Sequence, residues 1–247
     1  MKRNDIFQES NIKKILIIIR HGERIDRTGE IPECGNMNPE LTEKGKLQSF
    51  KASETIMNNI KKYGILDISP NIIQIRSSPY MRTIQTSVQL IKGINLIISK
   101  NLKENVYILK KIFIDFGLRK RIKPNKTFKK EEILYSSVDK YINFDKEIQN
   151  IEFIGGKGEF PLYAESKEEC EKRTICYVNN ILKKEIDDKN NKNKIFIIVG
   201  HRGPLKYLLN QLGLKKVDKK DFNYCSQFFF DISNGINNSK FLEIINN

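Results

Sequence analysis

Ile15-Leu16-Ile17-Ile18-Ile19-Arg20-His21-Gly22-Glu23-Arg24 is a run of five aliphatic residues that stops abruptly at Arg-His-Gly. Five consecutive branched or leucine side chains fit a strand covered on both faces, the habit of a parallel sheet. The polar, glycine-containing continuation takes the chain out of the sheet. The pattern returns near the other end as Ile195-Phe196-Ile197-Ile198-Val199-Gly200-His201-Arg202-Gly203. The chain has only two histidines in 247 residues, and both follow such a run directly, each beside an arginine and a glycine. In open α/β sheets the ligand crevice lies at that edge, past the carboxyl ends of the strands.

Between and around these two strands the chain alternates strand and helix signals. Residues 20–41 hold five glycines and prolines and read as a long irregular loop. Such a loop inside a compact domain is usually functional or disordered, and its place directly after His21 favours function. Thr42 is suited to cap a helix whose buried stripe would be Leu47, Phe50, Met57 and Ile60, ending at Gly64. Residues 71–75 read as a strand. A helix then begins near Pro79 or Tyr80, buries Ile84, Val88 and Ile91, and is expected to end at Gly93. Segments 94–98 and 106–115 are strand-like. Residues 119–160 are weakly patterned and charged, and are read as a cap or insertion with one helix around 130–142. Ser166-Lys167-Glu168-Glu169 has the form of a capping box and opens a helix to about residue 185. The strand at 195–199, a helix from Pro204 to Gly213, and strands at 224–232 and 240–245 complete the chain. The expectation is a single domain over residues 1–247, α/β in class, with a mainly parallel mixed sheet between two layers of helices.

Forty-four basic residues against thirty acidic give a net charge of +14. That favours anionic partners such as phosphate esters. The lysines are scattered and no nucleic-acid-binding motif is present, so nucleic acid is not expected as a partner. Cys34, Cys170, Cys176 and Cys225 form no C-x-x-C pair. With two histidines they do not read as a four-ligand zinc site, and unpaired cysteines fit a reducing compartment. The first residues carry no apolar leader, and the run at 15–19 is far too short to span a bilayer. The expectation is a cytoplasmic protein with no membrane partner, metal or cofactor.

A neutral imidazole can attack phosphorus and carry it as phosphohistidine, provided one ring nitrogen is free and the other is held by an acceptor. The phosphoryl oxygens then need fixed cations, and the planar fork of arginine binds two of them. Arg20, Arg24 and Arg82 are candidates for that task, and His201 could donate to the same oxygens. Gly22, Gly200 and Gly203 would let backbone approach the anion. Arg82 falls in the first turn of a helix that follows a strand, where the helix N-terminus also attracts anions.

Arg20-His21-Gly22-Glu23-Arg24, Leu41-Thr42-Glu43-Lys44-Gly45, Ser77-Ser78-Pro79-x-x-Arg82-Thr83-x-Gln85-Thr86 and Val199-Gly200-His201 together resemble the histidine phosphatase superfamily, also called phosphoglycerate mutase-like. The resemblance runs in order from about residue 15 to 205, with the middle third poorly matched. It implies a three-layer α/β/α fold, His21 as the phosphorylated nucleophile, and Arg20, Arg82 and His201 around the phosphoryl group. The form R-H-G-E-R-x-D is most similar to the branch with the ubiquitin-associated, SH3-containing phosphatases, which implies a phosphate-facing role for Arg24. The residues after Gly22 are Ile25-Asp26-Arg27-Thr28-Gly29 rather than the mutase pattern, and the chain has no tryptophan. That favours a phosphatase over a phosphoglycerate mutase-type phosphotransferase.

The resemblance also implies a carboxylic acid to protonate the leaving oxygen. Where the related branch has Gly-Leu-x-Glu, this chain has Gly117-Leu118-Arg119-Lys120. Asp115, at a strand end five residues earlier, is the expected substitute. Glu23 and Asp26 are alternatives better suited to orienting arginines. The substrate expected is a phosphorylated small molecule or phosphoprotein, with aryl esters or phosphotyrosine favoured because a phenol needs less help to leave. A phosphate-binding pseudoenzyme is the second reading.

Overall fold

A computed structural model describes residues 14–29, 38–65, 72–101, 109–122, 151–155, 164–187 and 194–246. Among these residues are seven strands, β1 Lys14–Arg20, β2 Ile73–Ser77, β3 Lys111–Ile114, β4 Glu152–Gly155, β5 Lys194–Gly200, β6 Gln227–Asp231 and β7 Lys240–Ile245. They form one sheet in the order β4-β3-β2-β5-β1-β6-β7. The first five strands are mutually parallel. β6 is antiparallel to β1, and β7 to β6. β5, late in the chain, is inserted between β1 and β2, so the strand order reverses there. This is where an α/β sheet opens a crevice.

Side chains alternate across the sheet and meet a different helix layer on each face. Ile15, Ile17 and Ile19 of β1 pack with α1 (Glu43–Lys62) and α2 (Met81–Asn101). Leu16 and Ile18 pack with α3 (Lys167–Tyr177), the π-helical turn Val178–Leu182 and short α4 (Lys183–Ile186) that continue it, and α5 (Arg202–Gln211). All five residues of Ile15–Ile19 are fully buried. At about 1.5–3 kcal/mol per buried aliphatic side chain, such strands drive the assembly. The mixed, mainly parallel sheet in three layers is the architecture expected from the sequence.

Local signals hold at the helix ends. Thr42 caps α1, its side chain accepting from the Gly45 amide at 2.9 Å, and Gly64 follows the helix at φ +87°. The Ser166–Glu169 capping box is formed in both directions.

Two expectations are corrected. Gly93 does not end α2, and residues 94–98 are helical, because the stripe Ile84, Val88, Ile91, Ile94, Ile98 keeps its helical period to the end of α2. Gly93 instead lets α1 approach: a Cβ there would lie 1.9 Å from Ser53 Oγ. Leu47 is 53% exposed, outside the buried stripe of Ala52, Ile56, Met57 and Ile60.

Within the segment read as a cap or insertion, residues 152–155 form the edge strand β4, paired with β3. The helix expected at 130–142 lies outside the described residues, as do Cys34 and the first thirteen residues. Cys170 and Cys176 are free thiols. No described helix is long and apolar enough to cross a membrane.

Candidate active site

Parallel pairing sets the positions of the two histidines. Arg20 is in register with Gly200, and the amide of His21 donates to the Gly200 carbonyl at 3.1 Å. His21 and His201 therefore leave neighbouring strands side by side. Their rings lie 5.3 Å apart, centroid to centroid, at 61°. On the other flank of β5, the Ser78 amide donates to the Val199 carbonyl at 3.0 Å, bringing the start of α2 to the same edge. His21 is 4% exposed, His201 3%, and Arg82 fully buried.

Hydrogen bonds assign the tautomers, since a carbonyl only accepts and a guanidinium only donates. His21 Nδ1 lies 2.8 Å from the Gly22 carbonyl and so carries the proton there. The Nε2 lone pair is left available, and Nε2 has no hydrogen-bond partner among the described residues. His201 is held the other way. Its Nδ1 accepts from Arg82 at 3.3 Å, and its Nε2 donates to Ser78 Oγ at 2.9 Å.

Both imidazoles are held neutral. Burial and then the Arg82 charge push each well below the usual histidine range. Arg20 adds to the effect at His21, His21 and Lys120 add to it at His201, and Arg24 acts on both. Arg82 itself is pushed down to about 9, first by burial and then by Arg24, which leaves it charged at neutral pH. Among the described residues, its Nε and one terminal nitrogen are buried without a partner, and so is Arg20 Nε. Buried donors with no acceptor are costly, and clustered cations more so. An anion with several oxygens would relieve both.

Arg20 donates to the Phe222 carbonyl, and its guanidinium carbon lies 4.3 Å from the Tyr224 ring centroid. Arg82 stacks on Tyr80 at 4.7 Å, and Tyr80 meets His201 edge-on at 5.0 Å. Arg24 pairs with Asp26 at 2.6 Å, with both side chains about nine-tenths buried. Its charge is felt at both histidines and at Arg82. Arg20, His21, Arg24, Arg82 and His201 are thus gathered at one edge.

Asp115 is placed differently. The strand order puts β3 two strands from β5, about 10 Å at the usual spacing, and three from β1. Its carboxylate accepts from Arg76 at 2.8 Å and from the Tyr177 hydroxyl at 3.0 Å. Arg76 also binds Glu185. The substitute acid is thus tied into a buried ionic cluster under α3. Lys120 is exposed, yet close enough for its charge to act on His201.

Much of the remaining motif holds the loop. The Gly22 amide donates to Thr86 Oγ1 at 3.1 Å, Glu23 to Gln48 at 3.0 Å, and Leu41 to Gln85 at 2.7 Å. Glu23 accepts from the Thr42 hydroxyl at 3.2 Å and pairs with Lys44 at 3.1 Å. Gly22 serves close packing: a Cβ there would lie 2.4 Å from the Gly45 carbonyl, and one at Gly45 would lie 2.1 Å from that of Glu23. A Cβ on Gly200 would meet the Leu205 side chain at 2.8 Å, and one on Gly203 meets nothing. Ser78 carried a signal, its place beside Pro79 in the motif. Tyr80 and Tyr224 carried none, because an isolated tyrosine has no pattern to read.

Residues 16–108 match the model of the histidine phosphatase superfamily (branch 1). No curated protein matches the chain by sequence. The ecdysone phosphate phosphatase of Bombix mori, solved in complex with tungstate, superposes with a TM-score of 0.55 at 16% identity, over 95% of this chain and 93% of that one. The product of an open reading frame of Mycobacterium tuberculosis gives 0.50 at 15% identity, over 94% and 96%. At these identities the likeness is one of fold.

Proposed function

We propose that this chain, a member of the histidine phosphatase superfamily, is a phosphatase that hydrolyses phosphate monoesters through phosphorylated His21. The observation that carries the reading is the resting state of His21. It is neutral, its Nδ1–H is spent on Gly22, and its ring lies beside that of His201 and within the field of Arg20 and Arg82. That is the prepared state of a nitrogen nucleophile facing a dianion.

In this mechanism Arg20, Arg24 and Arg82 bind the phosphoryl oxygens, and Arg82 exchanges its long contact to His201 for the anion. His21 Nε2 attacks in line, the P–N bond forms, and the P–O bond to the leaving group breaks. Water then attacks the phosphohistidine, inorganic phosphate leaves, and Nε2 regains its lone pair. No metal takes part in this sequence. His201 sits beside the transferring group, and a bound dianion offsets the cations that keep it neutral, which favours its taking up a proton and donating it.

The leaving group supplies the substrate preference. A tyrosine-like phenol ionises near a pKa of about 10. An alcohol lies far higher, close to water, and needs a proton as it departs. Asp115 is held by Arg76 and Tyr177, and Lys120 stands in the segment where a glutamate was expected. Aryl phosphates, phosphotyrosine among them, are therefore the favoured substrates. The resemblance to the R-H-G-E-R branch rests on Arg24 and Asp26.

The same two acid-site features favour a second reading, an anion-binding protein with negligible turnover. A substrate panel decides. Wild type should hydrolyse p-nitrophenyl phosphate at least tenfold faster than glycerol 2-phosphate, and His21→Ala should hydrolyse neither. Equal or faster turnover of the alkyl ester would refute the preference. Phosphate binding without turnover of any ester would establish the second reading.

A further inference from the structure

Tyr224 lies outside every motif, yet its ring sits 4.3 Å from the Arg20 guanidinium carbon and 5.9 Å from the His21 ring. The backbone is arranged to hold it there. The Cys225 amide donates to the Arg20 carbonyl at 3.1 Å, and the Arg20 amide donates to the Ser226 carbonyl at 3.2 Å. A turn between Asn223 and Ser226 closes at 3.1 Å. Among the described residues, Cys225 is the one non-glycine at positive φ, +58°. A residue with a Cβ is rarely placed there without a compensating constraint. Burial of Cys225 beside Ser49, with Sγ and Oγ 3.6 Å apart, supplies part of it.

The two tyrosines of the pocket differ in what they offer. Tyr80 is 4% exposed and forms part of the wall behind His201. Tyr224 is half-buried, so part of the residue remains at the surface beside the nucleophile. Before attack, phosphorus lies about 3–3.5 Å from nitrogen, and the group behind the ester oxygen begins about 5 Å out. We propose that Tyr224 is a specificity-determining residue, its ring the flank against which an aryl leaving group packs while the phosphoryl group rests on Arg20. Offset or edge contact between aromatic rings favours a phenyl over an alkyl group of the same charge. This inference rests on the phosphatase reading and names the part of the pocket that would produce its aryl preference.

Binding of non-hydrolysable phosphonates tests it without turnover. Calorimetry should show phenylphosphonate binding wild type about fivefold or more tighter than methylphosphonate. Tyr224→Phe should keep that ratio, and Tyr224→Leu should reduce it to within about twofold. Tyr224→Leu weakening both phosphonates and inorganic phosphate by one common factor would overturn the proposal, leaving the ring as a prop for Arg20. An unchanged ratio in Tyr224→Leu would overturn it as well. Tyr224→Phe, which keeps the ring, guards against reading a folding defect as a binding effect. If no ester is turned over but the phosphonate ratio falls in Tyr224→Leu, the phosphatase reading fails while the aromatic flank stands.

Discussion

His21 and His201 stand 5.3 Å apart in opposite tautomers: the first carries its proton on Nδ1, held by Gly22, the second on Nε2, held by Ser78. The difference separates their roles. His21 keeps its Nε2 lone pair out of the hydrogen bond that fixes its ring, whereas His201 at rest accepts from Arg82 and donates to a buried serine.

Ser78→Ala removes the acceptor that fixes the His201 tautomer. A neutral buried hydrogen bond is worth about 1 kcal/mol, so kcat on p-nitrophenyl phosphate should fall about fivefold. KM should change little, since Ser78 touches the imidazole and not the anion. Unchanged kcat would show that the serine does not set the state of His201.

Arg82 is the leading charge that keeps both imidazoles neutral. In Arg82→Met the pKa values of both histidines should rise, visibly in NMR, where a chain with two histidines gives two sets of imidazole signals. Arg82→Lys keeps charge but loses the fork, and kcat/KM should drop about a hundredfold. Histidine titrations unaltered in Arg82→Met would separate Arg82 from the pocket.

Acid should weaken the fold through the same pair. Their folded pKa values are depressed below the unfolded value of about 6.5, so below that pH the unfolded chain binds protons that the native chain does not. Stability is fully present above about pH 6.5 and declines as pH falls towards the folded values, by up to about 1.4 kcal/mol per pH unit for each histidine. Urea unfolding at pH 7.5, 6.5 and 5.5 should show this slope in wild type. A variant carrying His21→Gln and His201→Gln should lose most of it. Stability that stays level in wild type between pH 6.5 and 5.5 would mean that the imidazoles are not held neutral.

Asp115→Asn discriminates between acid and anchor. Its carboxylate is bound to Arg76 and Tyr177, and Arg76 also holds Glu185. Breaking one member of a buried ionic cluster costs about 3–5 kcal/mol. The unfolding midpoint should fall while kcat on p-nitrophenyl phosphate stays within about threefold. A loss of a hundredfold or more with stability intact would make Asp115 the general acid.

Gly93→Ala tests why α2 runs through its glycine. Helix propensity alone would favour alanine by about 1 kcal/mol. The added Cβ would meet Ser53 Oγ at 1.9 Å and Ser53 Cβ at 2.8 Å, and such overpacking costs about 1–3 kcal/mol. The melting temperature should fall, and a rise would show that α1 and α2 can separate freely.

Legibility in the sequence followed the range of the interaction. The buried runs at 15–19 and 195–199 announced the central strands, and Thr42 and Ser166 announced helix starts, because burial on both faces and capping are written in adjacent residues. The end of α2 was not legible, since Ile94-Asn95-Leu96-Ile97-Ile98 satisfies strand and helix patterns alike until the stripe beginning at Ile84 is extended through it. Motif spacing foretold the company of His21, His201 and Arg82. It did not foretell that Asp115 pairs with Arg76 and Tyr177, or that Tyr224 covers Arg20. Those are contacts between residues 39 to 204 positions apart in the chain, set by strand order and not by local pattern.

The central claim, that His21 Nε2 is the nucleophile, can be tested by isomer. Protein mixed with p-nitrophenyl phosphate and quenched in alkali within one turnover should yield a single phosphorylated residue, His21, with phosphorus on Nε2. The Gly22 carbonyl occupies Nδ1 and leaves the other nitrogen for attack. Phosphorus on Nδ1, on His201, or on no histidine while the ester is being hydrolysed would contradict the account.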